Sequence, residues 1–111
     1  MELESEIEKE LEKAQGARLH GNEGQARVCA RRAAGIAARG FFARRGKSIR
    51  TPSAYDVLKL VAEDVQLPAS LRESAVLLTL RVDEEFKLPP GVDLIAESRG
   101  LCEGLAEISQ P

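Results

Sequence analysis

Residues 26–47 read ARVCARRAAGIAARGFFARRGK, small apolar residues interleaved with arginines, and the order of the two kinds decides the fold. At about 100° per residue, Ala26, Cys29, Ala33, Ile36, Ala37 and Gly40 fall on one side of a helix. A stripe of such small residues lets neighbouring helices come close. Val28, Gly35 and Phe42, spaced by seven, make a narrower seam on nearly the opposite side, flanked by Arg27, Arg31, Arg32 and Arg39. A helix with two apolar seams sits centrally among other helices or at a subunit interface. Val28, Gly35 and Phe42 are therefore candidate dimer contacts, on a helix predicted over residues 23–45.

Upstream, HGNEGQ at residues 20–25 carries both a stop and a start. Gly21 suits the left-handed position that ends a helix, and Asn22 with Gln25 three residues later reads as a capping box. So short a joint predicts an antiparallel pairing with a first helix over residues 3–19, where Leu3, Ile7, Leu11 and Ala14 recur at helical spacing. Downstream, Pro52 and Ser53 announce a third helix over residues 54–65, with Leu58, Val61, Ala62 and Val65 inward. Ser70 with Glu73 reads as the capping box of a fourth, over residues 70–82, and Asp93 as the cap of a fifth, over residues 94–108. No stretch alternates as a strand does. The prediction is all-α, four to five helices in a single domain spanning residues 1–111.

Composition agrees. Hydrophobic residues make up 43% of the 111, charged residues 31% and aromatics 4%, with no Trp, so the core must be aliphatic and alanine-rich. Apolar runs fall far short of the roughly 18 residues of a membrane span. The opening MELESEIEKELEK is acidic and lacks the apolar centre of a signal peptide, and the expectation is a cytoplasmic protein. Cys29 and Cys102 match no metal-ligand spacing and sit in apolar helical patterns, as small buried hydrophobes do.

Charge is segregated. Residues 1–15 carry two basic and six acidic side chains, residues 16–50 nine basic against Glu23 alone, and residues 51–111 five basic and eleven acidic. In the predicted hairpin, positions whose numbers sum to about 42 lie side by side. Arg31 and Arg32 then face Glu10 and Glu12, and Arg39 faces Glu2 and Glu4, as a salt-bridged solvated surface. Arg44, Arg45, Lys47 and Arg50 lie beyond the reach of the first helix and form the stronger anion-site candidate, to which Arg31, Arg32 and Arg39 add. Extended nucleic-acid binding would need a longer positive track with stacking aromatics. A phosphate-bearing small ligand or an acidic protein partner fits better.

Nothing in the sequence argues for catalysis. The sole histidine, His20, stands at the end of the first helix, where a cation suits the dipole. There is no phosphate-binding glycine loop or nucleotide-fold fingerprint. The carboxylates do not repeat as the Glu-x-x-His pairs of a two-metal bundle, and neither a catalytic residue, a metal site nor a cofactor is expected.

The order GNEGQARVCARRAAGIAARGFFARRGK, RTPSAYDVLKLVAEDVQLPASLRESAVLLTLRV and GVDLIAESRGLCEGLAEI resembles the HEPN domain (higher eukaryotes and prokaryotes nucleotide-binding). It also resembles the related substrate-binding subunits of minimal nucleotidyltransferases. The resemblance implies an antiparallel up-and-down four-helix bundle with an additional short helix, a homodimer, and binding of a nucleotide, RNA or a nucleotidyltransferase partner. Relatives that cleave RNA use an Arg followed four to six residues later by His. Here His20 follows Arg18 at two, Tyr55-Asp56 stands where many relatives have His-Asp, and Gly35 and Arg39 replace a Glu and a Lys. The expectation is a non-catalytic binding module. The alternatives are a divergent ribonuclease or phosphoryl-transfer accessory, and a purely self-associating bundle.

Overall fold

The computed structural model describes residues 2–80 and 91–109, and these form five helices and no strand. They are α1 (Glu2–Leu19), α2 (Glu23–Arg44), α3 (Ala54–Glu63), α4 (Ala69–Leu78) and α5 (Leu94–Ser109). Ten residues of α2 are buried, seven of them Ala or Gly. With so little side chain between backbones, α2 packs against α1, α3 and α5 at once.

Each contact has a readable cause. Gly21 takes φ 77° and Asn22 Oδ1 accepts the Gln25 N–H at 3.0 Å, so α1 stops and α2 starts within three residues. The hairpin keeps the expected register: a Cβ at Gly40 would fall 2.5 Å from Leu3 Cδ2. On α5, the buried Ser98 Oγ donates to the Ala30 carbonyl (2.7 Å) and Cys102 Sγ to that of Ala33 (3.7 Å). Both partners advance together, so α5 runs parallel to α2. Ser74 on Glu97 and Leu71 against Gly104 make α4 antiparallel to α5. Directions therefore alternate through α1, α2, α4 and α5, yet α5 meets the parallel α2 far more extensively than it meets α1. The alanine stripe permits that close approach.

Three helix ends differ from expectation. Helix α3 stops at Glu63 because Asp64 turns extended (ψ 99°) and its Oδ1 accepts from the Gln66 N–H. Val65, expected in the core, is 82% exposed as a result. Helix α4 begins one residue early, with the Pro68 carbonyl accepting from Leu71 and Arg72. Ser70 therefore lies inside the first turn and forms no cap. The same helix ends at Leu78 rather than near Val82, which lies outside the described residues along with the charged loop after it.

Of the seam residues Val28, Gly35 and Phe42, the last two are buried within the chain, while Val28 is half-buried. A Cβ at Gly35 would come within 2.8 Å of Ala54 Cβ and 3.1 Å of its Cα, and Phe42 is 4% exposed. Helix α3 lies on α2 here, so the burial of Gly35 and Phe42 requires no second copy.

Two glycines then predict opposite signs in urea denaturation. Gly35→Ala drives a methyl into the backbone of α3 and should cost about 1–3 kcal/mol. Gly100, in α5 with nothing within 4 Å, should gain about 0.5–1 kcal/mol as Ala. At the start of α5, burial raises the Asp93 carboxyl, but the Arg18 guanidinium at 3.0 Å and the Ala96 and Ile95 N–H groups outweigh it. The net shift is downward. Its stabilising contribution is complete above about pH 4, the ordinary aspartate range, and fades as pH falls through the lowered value. Asp93→Asn should therefore remove part of the acid dependence of stability below pH 4.

Candidate anion-binding groove

The arginines flanking the second seam of α2 do not all face α1. Arg31 Nε donates to the Leu78 carbonyl at 2.6 Å and its Nη2 to that of Leu80 at 3.4 Å, holding the C-terminal end of α4 rather than Glu10 or Glu12. The Leu78 carbonyl closes α4, and no helical amide four residues on reaches it. Arg39 Nη2 donates to the Thr51 carbonyl at 2.9 Å, fixing the chain just before α3. Both guanidiniums thus become struts between α2 and the elements crossing it.

Between the struts runs an open depression in two parts. One, of 490 Å³, has Arg31, Arg32 and Arg39 on its walls together with Glu10, and Ser53, Ala54 and Tyr55 at the start of α3. The other, of 420 Å³, is bounded by Arg27, Arg31, Thr79 and Leu80. Val28, Arg31 and Tyr55 belong to both, so the two are halves of one groove with an apolar and aromatic waist. At the α3 terminus Ser53 caps the Asp56 N–H, and the Asp56 carboxylate, accepting from Thr51 Oγ1, offsets the positive end of the helix dipole.

The electrostatics are unbalanced. Burial, and then the neighbouring charge of Arg27, lower the pKa of Arg31, and Arg27 Nε is buried without a hydrogen-bond partner. An arginine keeps its charge in a protein, so like charges are held together here at a cost that an anion would offset. One carboxylate shares the wall. Glu10 Oε1 lies 3.4 Å from Lys13 Nζ, and Glu10 Oε2 is buried and unpartnered.

The cations singled out in the sequence thus separate into two sets. Arg31, Arg32 and Arg39 come together in the groove. Arg44, Arg45, Lys47 and Arg50 lie beyond it, at and after the end of α2 and all exposed. Arg45 stacks over the Phe41 ring at 4.4 Å and Lys47 stands over Phe42 at 5.9 Å. Those two shield the aromatic end of the core. Sequence reasoning missed Glu10, Arg27 and Tyr55 as groove residues. The arginine spacing on α2 pointed to the right face, but the crossing of α3 and the reach of α4 are tertiary facts.

His20 is exposed at the end of α1, its Nδ1 donating to the Gly16 carbonyl at 2.8 Å. Among the described residues no group of His, Cys, Asp or Glu is placed to hold a metal ion, and no helix is long and apolar enough to cross a membrane. Cys29 and Cys102 are both buried free thiols. Comparisons with protein-family models, curated proteins and solved structures found no match to this chain.

Burial pushes the Cys102 thiol up to about 11, far from the thiolate that reacts. Iodoacetamide at pH 8 should leave Cys102 unmodified in the folded protein and alkylate it once urea has unfolded the chain. Mass spectrometry of the digested protein reads the difference.

Proposed function

We propose that this chain is a non-catalytic, HEPN-like binding module that takes a phosphate-bearing ligand in the groove on the outer face of α2. The observation that carries the reading is the convergence of Arg27, Arg31, Arg32 and Arg39 on one depression at the start of α3. Planar guanidiniums match phosphate oxygens in pairs. Arg31 and Arg39 are already fixed by backbone carbonyls, so little side-chain freedom is lost on binding. A nucleotide satisfies this chemistry, and a nucleotidyltransferase-like chain is the partner that a module of this type would serve.

Calorimetric titration with inorganic phosphate and with short alkyl phosphates tests the reading. Arg32, exposed and with no hydrogen bond or ion pair to another described residue, is the residue to change. Arg32→Ala should weaken binding about tenfold, the scale of a charge-assisted hydrogen bond, while Arg50→Ala stays within about twofold, as for a charge screened from the site. No binding by the wild type, or a loss confined to Arg50→Ala, contradicts the proposal.

A further inference from the structure

Among the described residues, two buried side-chain polar atoms have no hydrogen-bond partner, Glu10 Oε2 and Arg27 Nε. They come from different helices and line adjoining halves of the groove, Glu10 the larger hollow and Arg27 the smaller. Buried polar atoms are otherwise almost always paired. Arg27 Nε is a donor, and a phosphate oxygen answers it. Glu10 Oε2 is an acceptor, so only a donor answers it: an N–H on the ligand, or the P–OH of a protonated phosphate, whereas a fully ionised phosphate ester close by is repelled.

The wall around Glu10 offers no relief. Lys13 reaches only Oε1, at 3.4 Å, and its own side chain is 64% exposed against 15% for Glu10. Arg32, opposite Glu10 by helical register and on the same wall, makes no hydrogen bond to Oε2, and Arg31 is committed to the carbonyls of Leu78 and Leu80. The last torsion of a glutamate is soft, so rotation about it can present a carboxylate oxygen to the hollow that Glu10 lines. A carboxylate set among phosphate-binding arginines accepts from a donor on the ligand body.

Resting on the phosphate reading above, we infer that the groove recognises a zwitterionic phosphate ester, its phosphate held by the arginines and an ammonium or amine N–H donated to Glu10. Glu10 is then the specificity-determining residue: it contributes to the amine-bearing ester and opposes the plain one. The hollow that Glu10 shares with Arg31, Arg32 and Arg39 measures 490 Å³, room for both groups of a small ester.

The test uses the intact chain and two probe series, ω-aminoalkyl phosphates of two to six carbons and the alkyl phosphates of the same lengths. By calorimetry, at least one amine-bearing member should bind about tenfold tighter than its plain counterpart, the scale of one charge-assisted bond. In Glu10→Gln that preference should fall below about twofold, while alkyl phosphates bind as well as before or better as the opposing charge is lost. Because the wild-type comparison needs no variant, a poorly folding Glu10→Gln leaves the test intact. Plain alkyl phosphates that bind with no gain from the amine at any length overturn this inference and spare the phosphate reading. Failure of every probe overturns the phosphate reading itself. The same chemistry occurs in free esters and in ethanolamine headgroups. Cosedimentation with phosphatidylethanolamine vesicles that aminoalkyl phosphate competes away supports the recognition with a headgroup as its source. No cosedimentation, alongside preference for the free amine ester, supports it with a soluble source.

Discussion

The close approach of α5 to α2 across alanine is the constraint from which the rest follows. Ala30, Ala33, Ala34, Ala37 and Ala38 leave so little side chain on α2 that the Ser98 hydroxyl and the Cys102 thiol reach its backbone carbonyls directly. Alanine cannot match leucine in area removed from water, so α2 compensates with the number of its neighbours. Helix α1 covers one side, α5 a second, and α3 is drawn onto Gly35 because no other residue lets Ala54 come so near.

That arrangement decides where the charge goes. Long cationic side chains find no room on the alanine faces and collect on the remaining arc of α2. There the segment before α3 and the end of α4 bring backbone carbonyls to them. Arg31 and Arg39 serve the fold and the groove with the same guanidiniums. The positive charge that Arg31 and Arg39 give the groove is thus tied to how the short helices are held.

The helices were legible because their signals are local. Gly21 and Asn22 stop one helix and start the next within bonding distance of themselves, and Asp93 caps α5 through its own N–H neighbours at 95 and 96. Local signals also misled: Ser70 and Glu73 have capping-box spacing, but the rigid φ of Pro68 starts the helix earlier. The groove was only half legible. The wheel placed Arg27, Arg31, Arg32 and Arg39 around one seam, and the hairpin register set Glu10 opposite. Whether those arginines pair with α1 or with the carbonyls of Thr51 and Leu78 depends on contacts 12 and 47 residues away in sequence, beyond any periodicity. The density of cations at residues 44–50 drew attention for its charge alone, while the structure gives two of them aromatic rings to cover.

The central claim is that the binding face lies across α2 at the start of α3 and not at the end of α2. The most direct measurement is a titration of the isotopically labelled protein with inorganic phosphate, followed by NMR at the backbone amides and the arginine Nε–H groups. The account predicts that the amides of residues 53–55 and the Nε–H signals of Arg27, Arg32 and Arg39 shift together along one saturating curve, with residues 44–50 unmoved. Shifts centred on Arg44, Arg45, Lys47 and Arg50, or none that saturate, would contradict it.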